Sequence, residues 1–326
     1  MKKRFRYITY ILAGIVLFSA ILITMDKIAE AANRVYLNET DLTLEVGRYR
    51  TLKVYGSRLT PTFRSANNRA ATVTTKGRIT ARGWGSTTIY TYVENKTLRT
   101  KVTIVQINKK YVTLTPGNTS ALTLWGADNS TTWKSNNTKV ATVSENGLVT
   151  AIGNGTATIT ATFNGKNITS EITVIGLNHE SKVLEYGGRF SLTRANYGSV
   201  VKLKVEGSNS QATWSSANTR VATVDSSGKV TAKGPGSTKI YATINGSSVS
   251  ADIKVLQMQF SELDLKKGGT FSLKVLGSDS DIIWRSTKRS VATVDDNGVV
   301  TGKEPGTAKI IAEIDGRLIR CIVTVR

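Results

Sequence analysis

The feature of this chain that most restricts its fold is a fourfold internal repeat. Four segments of 29 residues align without a gap, and each begins at an aromatic residue: Phe63, Trp133, Trp214 and Trp284. A glycine follows each of these aromatic residues by fourteen positions: Gly77, Gly147, Gly228 and Gly298. Because a repeat of this kind marks one structural unit used several times, the chain is predicted to contain four similar units.

Each unit is predicted to be a small β-sandwich. In the fourth copy, FSLKVLG and DIIWRS alternate apolar with polar residues, as strands with one buried face do. The pairs Asn297-Gly298 and Asp315-Gly316 take positive φ at little cost and therefore mark tight turns. About seven short strands in about 70 residues are typical of an immunoglobulin-type sandwich. The predicted fold class is all-β, with four tandem immunoglobulin-like antiparallel sandwiches after an N-terminal hydrophobic helix.

The leading aromatic residues are predicted to pack in the core. Trp133, Trp214 and Trp284 occupy one position of the repeat, and Phe63 fills the same position in the first unit. Phenylalanine keeps the apolar bulk and lacks the indole N–H, so packing between the sheets is favoured over stacking on a ligand. The glycines that follow them are predicted to close tight turns.

The repeated run W-x-S-x-N/T-x-x-V-A-T-V-x-x-x-G-x-V-T-A-x-x-x-G-x-x-x-I-x-A resembles the signature of bacterial immunoglobulin-like domains of group 2. These modules occur in intimin- and invasin-like adhesins and in many cell-surface proteins. The resemblance covers nearly all of the chain after residue 33 and implies an exported array used for adhesion, display or spacing. It implies no catalytic residue, because the shared positions are core and turn positions.

The repeat spacing sets the predicted boundaries. Units one to four are expected at residues 33–106, 107–176, 177–256 and 257–326. The leading aromatic residues are 70, 81 and 70 positions apart, so unit three carries eleven extra residues. Residues 184–192 resemble residues 44–52, which predicts a duplicated first hairpin and an altered joint between units two and three.

Residues 1–32 are predicted to direct export. Four basic residues, Lys2, Lys3, Arg4 and Arg6, precede a nearly uncharged apolar run over residues 7–25. Ala29-Glu30-Ala31 is a suitable site for a signal peptidase. The run is also close to the roughly twenty residues that span a bilayer, so a cleaved signal peptide and a retained membrane anchor both stay open. In either case the remainder is expected outside the cytoplasm, at the cell surface or secreted.

The sequence predicts no enzyme, no cofactor and no metal site. His179 is the single histidine and Cys321 the single cysteine, too few for a zinc site or a triad with an identifiable orienting acid. Cys321 is predicted to be a small core residue of the last strand, with a free thiol for pairing between chains as the alternative. The acidic clusters 279–281 and 295–296 lack the spacing of an EF-hand calcium loop and are predicted to form turns, with a calcium ion that bridges a domain joint as the alternative.

Positive charge concentrates in unit one. The chain carries a net charge of +21, and residues 33–106 contribute thirteen basic and four acidic residues, a net +9. An anionic wall polymer or a membrane surface is therefore a candidate partner, against the alternative that the charge only aids solubility. The residues expected to make this contact are Arg48, Arg50, Arg58, Arg64, Arg69, Arg78, Arg82 and Trp84. Specific nucleic-acid binding is not expected, because the chain is exported and has no element for base recognition.

The predicted function is that of an exported bacterial cell-surface protein. Its Ig-like modules would act as an adhesive or spacer rod, with non-catalytic contacts through loops and edge strands. The protein or glycan that an adhesive rod would bind is not predicted. The alternative is an envelope-structural module that binds anionic wall polymer or the membrane surface through unit one.

Overall fold

A computed structural model describes residues 34–187 and 199–326. In these ranges the regular elements are 34 strands, which confirms the all-β, immunoglobulin-like class. The predicted N-terminal helix and the candidate signal or anchor lie outside the described residues. Among the residues that are described, none belongs to a helix with the length and apolarity needed to cross a bilayer.

Unit one contains two facing sheets. The larger has the order β5-β8-β9 with β2 beside β9, and the smaller has the order β3-β7-β6, while β1 pairs with β4. The strands are β1 (Tyr36–Leu37), β2 (Asp41–Glu45), β3 (Tyr49–Thr51), β4 (Val54–Tyr55), β5 (Thr62–Ser65), β6 (Ala71–Val73), β7 (Arg78–Ala81), β8 (Gly85–Val93) and β9 (Lys96–Ile107).

Unit two repeats this arrangement. Its larger sheet has the order β10-β17-β16-β13 and its smaller sheet β11-β15-β14, and β12 pairs with the end of β9. The strands are β10 (Tyr111–Leu114), β11 (Thr119–Ala121), β12 (Leu124–Trp125), β13 (Thr132–Ser135), β14 (Ala141–Val143), β15 (Leu148–Ala151), β16 (Gly155–Phe163) and β17 (Lys166–Val174).

Unit three has the same two sheets, ordered β19-β26-β25-β22 and β20-β24-β23, and a β18-β21 pair. Its strands are β18 (Gly176–Leu177), β19 (Ser181–Glu185), β20 (Val200–Lys202), β21 (Val205–Glu206), β22 (Thr213–Ser216), β23 (Ala222–Val224), β24 (Lys229–Ala232), β25 (Gly236–Ile244) and β26 (Ser247–Met258).

Unit four follows the same plan, with sheets β27-β34-β33-β30 and β28-β32-β31, and β29 paired with the end of β26. Its strands are β27 (Glu262–Leu265), β28 (Thr270–Ser272), β29 (Val275–Leu276), β30 (Ile283–Ser286), β31 (Ala292–Val294), β32 (Val299–Gly302), β33 (Gly306–Ile314) and β34 (Arg317–Val325).

One strand pair in each unit is parallel, whereas the sequence suggested antiparallel pairing throughout. In unit one β2 runs parallel to β9, with Thr43 opposite Thr103, and the equivalent pairs are β10 with β17, β19 with β26 and β27 with β34. After this strand the chain leaves the larger sheet and continues in the smaller one. The first long strand and the last strand of a unit therefore lie side by side in the same direction.

Each unit buries its own hydrophobic cluster. At its centre lies a fully buried isoleucine of the long hairpin, which is Ile89, Ile159, Ile240 or Ile310. The residues opposite these isoleucines are Thr100, Ser170, Ala251 and Cys321. Cys321 is thus the equivalent of a buried alanine, as expected for a small core residue, and burial raises the pKa of its thiol to about 12.

The leading aromatic residues pack against these clusters and against the turn glycines. Phe63, Trp133, Trp214 and Trp284 are half-buried at the edge of the core. At Gly228, where φ is +81°, an added Cβ would lie 2.7 Å from the Trp214 ring and 2.5 Å from the Leu203 carbonyl oxygen. Only glycine fits there, because the turn needs a left-handed conformation and the aromatic ring occupies the space of a side chain.

The extra residues of unit three lie between β19 and β20. Residues 188–198 are outside the described part of the chain, so the predicted duplicated hairpin is only partly covered. The joint before unit three nevertheless retains its strand pair: Leu177 lies opposite Val205 as Ile107 lies opposite Leu124 at the previous joint. This joint differs from the other two in that β17 ends at Val174 and β18 begins at Gly176, whereas β9 and β26 each run through their joint. Whether the insertion alters the joint stays a prediction, because residues 188–198 lie outside the described part of the chain.

Candidate interaction surface

The eight predicted contact residues of unit one are all exposed, and the structure places them on several separate surfaces. Arg58 lies in the loop after β4, near the start of the unit, where Gly56 closely approaches the Arg34 carbonyl. At the other end of the unit, the β2–β3, β5–β6 and β7–β8 connections are held together by backbone hydrogen bonds. These connections carry Arg48, Arg69, Arg82 and Trp84.

Trp84 faces the next unit. Its ring centroid lies 6.0 Å from that of Trp125 in β12, with an angle of 34° between the ring planes. Trp84 still exposes 56% of its surface. Arg48 and Lys110 approach the two carboxylate oxygens of Glu45 at 4.0 and 3.8 Å, so a charge contact accompanies the ring contact. The structure therefore assigns Trp84 a position in the joint between units one and two.

Two arginines of the smaller sheet have partners within unit one. Arg50 Nε donates a hydrogen bond of 2.6 Å to Glu39 Oε1. The Arg78 guanidinium carbon lies 3.8 Å from the centroid of the Tyr49 ring, a cation–π contact. The Glu39 carboxylate neutralises Arg50 locally, which makes this side of the unit a weaker anion site than its arginine content suggests.

The outer face of the larger sheet holds a cross-strand row that the sequence did not single out. Arg64 in β5 lies opposite Tyr90 in β8, and Tyr90 lies opposite Arg99 in β9. The Arg99 guanidinium carbon is 5.7 Å from the Tyr90 ring centroid, and the Tyr90 and Tyr92 centroids are 6.4 Å apart. We call Arg64, Tyr90, Tyr92 and Arg99 the arginine–tyrosine row.

The residues of this row can be grouped from the sequence only when the pairing between neighbouring strands is known. The β8–β9 hairpin turns through Glu94 and Asn95, and counting outward from this turn pairs Tyr90 with Arg99. Only Arg64 was among the predicted contact residues. Charge counts alone do not distinguish a side chain on this face from one elsewhere in the unit.

The acidic residues of the tight turns serve local structure. Asp225 accepts hydrogen bonds from the Ser227 hydroxyl at 2.6 Å and from the Lys229 backbone N–H at 3.0 Å, and these bonds lower the pKa of its carboxyl group. Asp295 likewise accepts the Asn297 and Val299 backbone N–H groups at 3.0 and 2.7 Å. Within residues 34–187 and 199–326, no group of three or more His, Cys, Asp or Glu side chains is arranged to hold a metal ion.

The three joints share a contact made by a hairpin tip. Asn164, at the tip of the β16–β17 hairpin, donates to Thr43 Oγ1 of unit one at 3.2 Å. At the next joint, Asn245 donates to Thr113 Oγ1 at 3.3 Å. At the third, Arg317 donates to the Val183 carbonyl at 2.6 Å. Thr43, Thr113 and Val183 occupy the same position of the parallel strand, so each unit contacts its predecessor in the same way.

The third joint has an additional polar cluster. Asp315 at the tip of the β33–β34 hairpin binds Lys254 Nζ of unit three at 3.0 Å and accepts hydrogen bonds from Ser278 and Ser280, both at 3.0 Å. The Lys254 hydrogen bond, followed by those from Ser280 and Ser278, lowers the pKa of the Asp315 carboxyl group. This joint is therefore held by a charge pair that requires ionised Asp315.

Two family models match the repeated units. The intimin immunoglobulin-like domain matches residues 116–164 and 196–246, and the bacterial Ig-like domain of group 2 matches residues 257–315. The chain is 30% identical over 207 residues to "Ice-binding protein 1" of Shewanella frigidimarina (strain NCIMB 400), covering 56% of this chain and 23% of that protein. It is 38% identical over 85 residues to "Intimin" of Escherichia coli O111:H-, covering 25% of this chain and 8% of that protein.

The chain spans less than a quarter of the length of these curated relatives. Among solved structures, a mutant intimin of EHEC O157:H7 is 36% identical over 23% of this chain and 39% of its own, with a TM-score of 0.18. Invasin, described as a bacterial integrin-binding protein, is 12% identical over 81% of this chain and 72% of its own, with a TM-score of 0.27. Residues 116–164, 196–246 and 257–315 are thus similar to bacterial immunoglobulin-like domains of the intimin and group 2 kinds.

Proposed function

We propose that this protein is an exported spacer or adhesive rod in which four Ig-like units hold a surface at a distance from the cell envelope. It works through non-covalent contacts of its loops and edge strands and catalyses no reaction. The observation that carries the proposal is the continuity of strands across the joints. β9 (Lys96–Ile107) ends unit one and begins unit two, and β26 (Ser247–Met258) does the same for units three and four.

A strand that crosses a joint leaves no free linker. At the joint between units two and three, the single residue Ile175 separates β17 from β18, and it is fully buried. Val105 and Leu256 are also fully buried at the other two joints. Short, buried connections and repeated hairpin-tip contacts restrict hinge motion between neighbouring units, which favours an extended rod over a flexible string.

The expected reach follows from strand geometry. A strand of twelve residues such as β9 extends about 40 Å at about 3.3 Å per residue. Four units in line would therefore extend on the order of 150 Å. Reach of this size suits a protein that presents a surface beyond the envelope, and the similarity of residues 116–164, 196–246 and 257–315 to intimin and group 2 Ig-like domains supports a location on the cell surface.

Electron microscopy of the purified full chain tests the rod. We expect single particles on the order of 150 Å long with a narrow spread of bend angles. A six-residue Gly/Ser segment inserted after Leu256 should widen the spread of bend angles at the third joint. The same insertion after Asn129, in a loop within unit two, should not. Compact particles, or equally broad angles at all joints of the wild-type chain, would contradict the proposal.

Cell fractionation with N-terminal sequencing tests export. A mature chain that begins at Ala32 in the medium or at the cell surface would establish a cleaved signal peptide, and an intact N-terminus in the membrane fraction would establish an anchor. Retention of the whole chain in the cytoplasm would overturn the proposed location.

A further inference from the structure

The arginine–tyrosine row of unit one is open to solvent and free of local neutralisation. Arg64, Arg99 and Tyr92 are exposed, and Tyr90 is half-buried between the two arginines. Among the described residues neither Arg64 nor Arg99 has an ion-pair partner, in contrast to Arg50 of the same unit. Two guanidinium groups with free donors are therefore presented on one sheet face.

The dimensions of the row follow from sheet geometry. Arg64 and Arg99 flank the strand that carries Tyr90, so their Cα atoms are about 10 Å apart, at about 4.8 Å per strand. The Tyr90 and Tyr92 rings lie between these charges with 21° between their planes. Thr62 and Thr97, the register partners of Tyr92, lie on the same face and supply hydroxyl groups.

The other units do not repeat this chemistry. Unit two has Lys134, Thr160 and Thr169 at the positions of Arg64, Tyr90 and Arg99, and unit three has Ser215, Tyr241 and Ser250. Unit four has Arg285, Ile311 and Arg320, but Arg285 forms an ion pair with Glu313, at the position of Tyr92. Paired arginines around a tyrosine, without a carboxylate, occur in unit one alone among the described faces.

We propose that the arginine–tyrosine row binds a phosphate-bearing glycan polymer of the cell envelope. Guanidinium groups form paired hydrogen bonds with phosphate oxygens, and they do so with greater geometric specificity than lysine. Tyrosine rings present an apolar face and a polar hydroxyl group, which suits a sugar ring. The two guanidinium groups bind successive phosphate groups, and the tyrosine rings between them contact a sugar carried by the polymer unit that joins those phosphates.

Charge complementarity favours a polymer over a lipid surface as the occupant. Unit one has a net charge of +9, so its field attracts polyanions in general. Docking on a bilayer also requires apolar side chains that enter the headgroup region. The large exposed residues Leu59 and Trp84 lie in the β4–β5 and β7–β8 loops, off the row, and the row itself carries only arginine, tyrosine and threonine. This proposal does not depend on the rod function.

Acidic groups lie near both ends of this face: Glu94 is in the β8–β9 turn, two residues beyond Tyr92, and Asp41 is at the other end. Asp41 is the register partner of Lys101, two residues beyond Arg99 in β9. Lys101 also helps to lower the pKa of Asp128 in unit two, after the stronger effect of the Ser130 hydrogen bonds. Lys101 is therefore shared with carboxylates, and the binding contribution is assigned to Arg64 and Arg99.

The test measures binding of the purified full chain to three soluble probes: glucosylated poly(glycerol phosphate), inorganic polyphosphate and uncharged dextran. The variant Arg64→Ser/Arg99→Ser places the residues of unit three in unit one. The matched control Arg285→Ser/Arg320→Ser removes two charges from the same positions of unit four. Circular dichroism and hydrogen exchange verify that both variants keep their fold.

We expect the unit-one variant to weaken binding of poly(glycerol phosphate) at least tenfold and the unit-four variant to weaken it less than twofold. Binding should fall as salt rises, with a shallower dependence in the unit-one variant because fewer counterions are released. Tyr90→Thr, which copies unit two, should weaken binding to the glucosylated polymer more than to polyphosphate.

Three results would overturn the proposal. Equal losses in the two arginine variants would mean that overall charge, not the row, attracts the polymer. The row would be assigned to a membrane surface if the wild-type chain bound vesicles of phosphatidylglycerol but no polymer, and if the unit-one variant lost the vesicle binding. Absence of polymer binding by the wild-type chain at low salt would exclude the site outright.

Discussion

Replacing Gly228 by alanine tests whether the repeated glycine serves the turn and the core together. An ideal Cβ at this position lies 2.5 Å from the Leu203 carbonyl oxygen and 2.7 Å from the Trp214 ring, closer than real Cβ contacts. The backbone or the ring must therefore move. Gly246 is a matched control, because its φ of +80° is nearly that of Gly228, +81°, and no atom lies within 4 Å of its ideal Cβ.

The two substitutions share a backbone cost and differ in packing. Alanine in the left-handed region costs about 1–2 kcal/mol, and the reduced entropy of the unfolded chain offsets about 0.4–1 kcal/mol of that. Gly246→Ala should therefore lower the free energy of unfolding of unit three by about 1 kcal/mol. Overpacking at Gly228 adds about 1–3 kcal/mol, which gives a total of about 2–4 kcal/mol for Gly228→Ala.

Hydrogen exchange of the full chain, followed by mass spectrometry, measures the difference within unit three. Amides of β25 report the free energy of opening of that unit, and peptides of unit four serve as an internal reference. An additional loss of about 2 kcal/mol corresponds to roughly thirtyfold faster exchange in Gly228→Ala than in Gly246→Ala. Equal protection in the two variants would refute the argument that the Trp214 ring and the Leu203 carbonyl exclude a side chain.

Three further predictions concern the core and a joint. Cys321 should not react with a thiol reagent until unit four unfolds. The free energy of unfolding of this unit should fall as the pH rises from 9.0 towards about 12, because the folded state keeps the thiol protonated while the unfolded state ionises it. Asp315→Asn at neutral pH, or acidification of the wild type through the lowered pKa of Asp315, should weaken the Lys254 contact and increase exchange at the third joint. Trp214→Phe, which copies Phe63, should lower the free energy of unfolding less than Trp214→Ala does, as measured by urea denaturation. Trp214→Ala should lower it by about 3–5 kcal/mol if the site cannot collapse.

The sequence was sufficient for the parts of the fold that depend on local chemistry. Gly228 and its equivalents lie at positive φ, and the Asn245-Gly246 pair closes a hairpin with both residues at positive φ. These positions were predictable because each conformation is set by one or two residues. The equivalence of Phe63 with the three tryptophans likewise predicted that these side chains pack with the core, and they lie half-buried at its edge.

Features that depend on distant partners were not predictable in the same way. Trp84 lies at a turn in the sequence, but its neighbour Trp125 comes from the next unit, so its place in a joint required the structure. The parallel direction of β2 beside β9 depends on which sheet the chain enters next. Arg99 is absent from the predicted contact residues because its proximity to Tyr90 follows from hairpin register and not from spacing along the chain.

The separation between core and outer face explains how four copies of one fold can differ in function. Residues at the positions of Ile89 and Thr91 point inwards and keep small or apolar side chains in every unit. Tyr90, between them, points outwards, and its equivalents are Thr160, Tyr241 and Ile311. Because a strand alternates its faces, the outward positions change without disturbing the cluster beneath them. Shared residues therefore specify the sandwich, and binding differences between units must be sought at the outward positions where the four copies disagree.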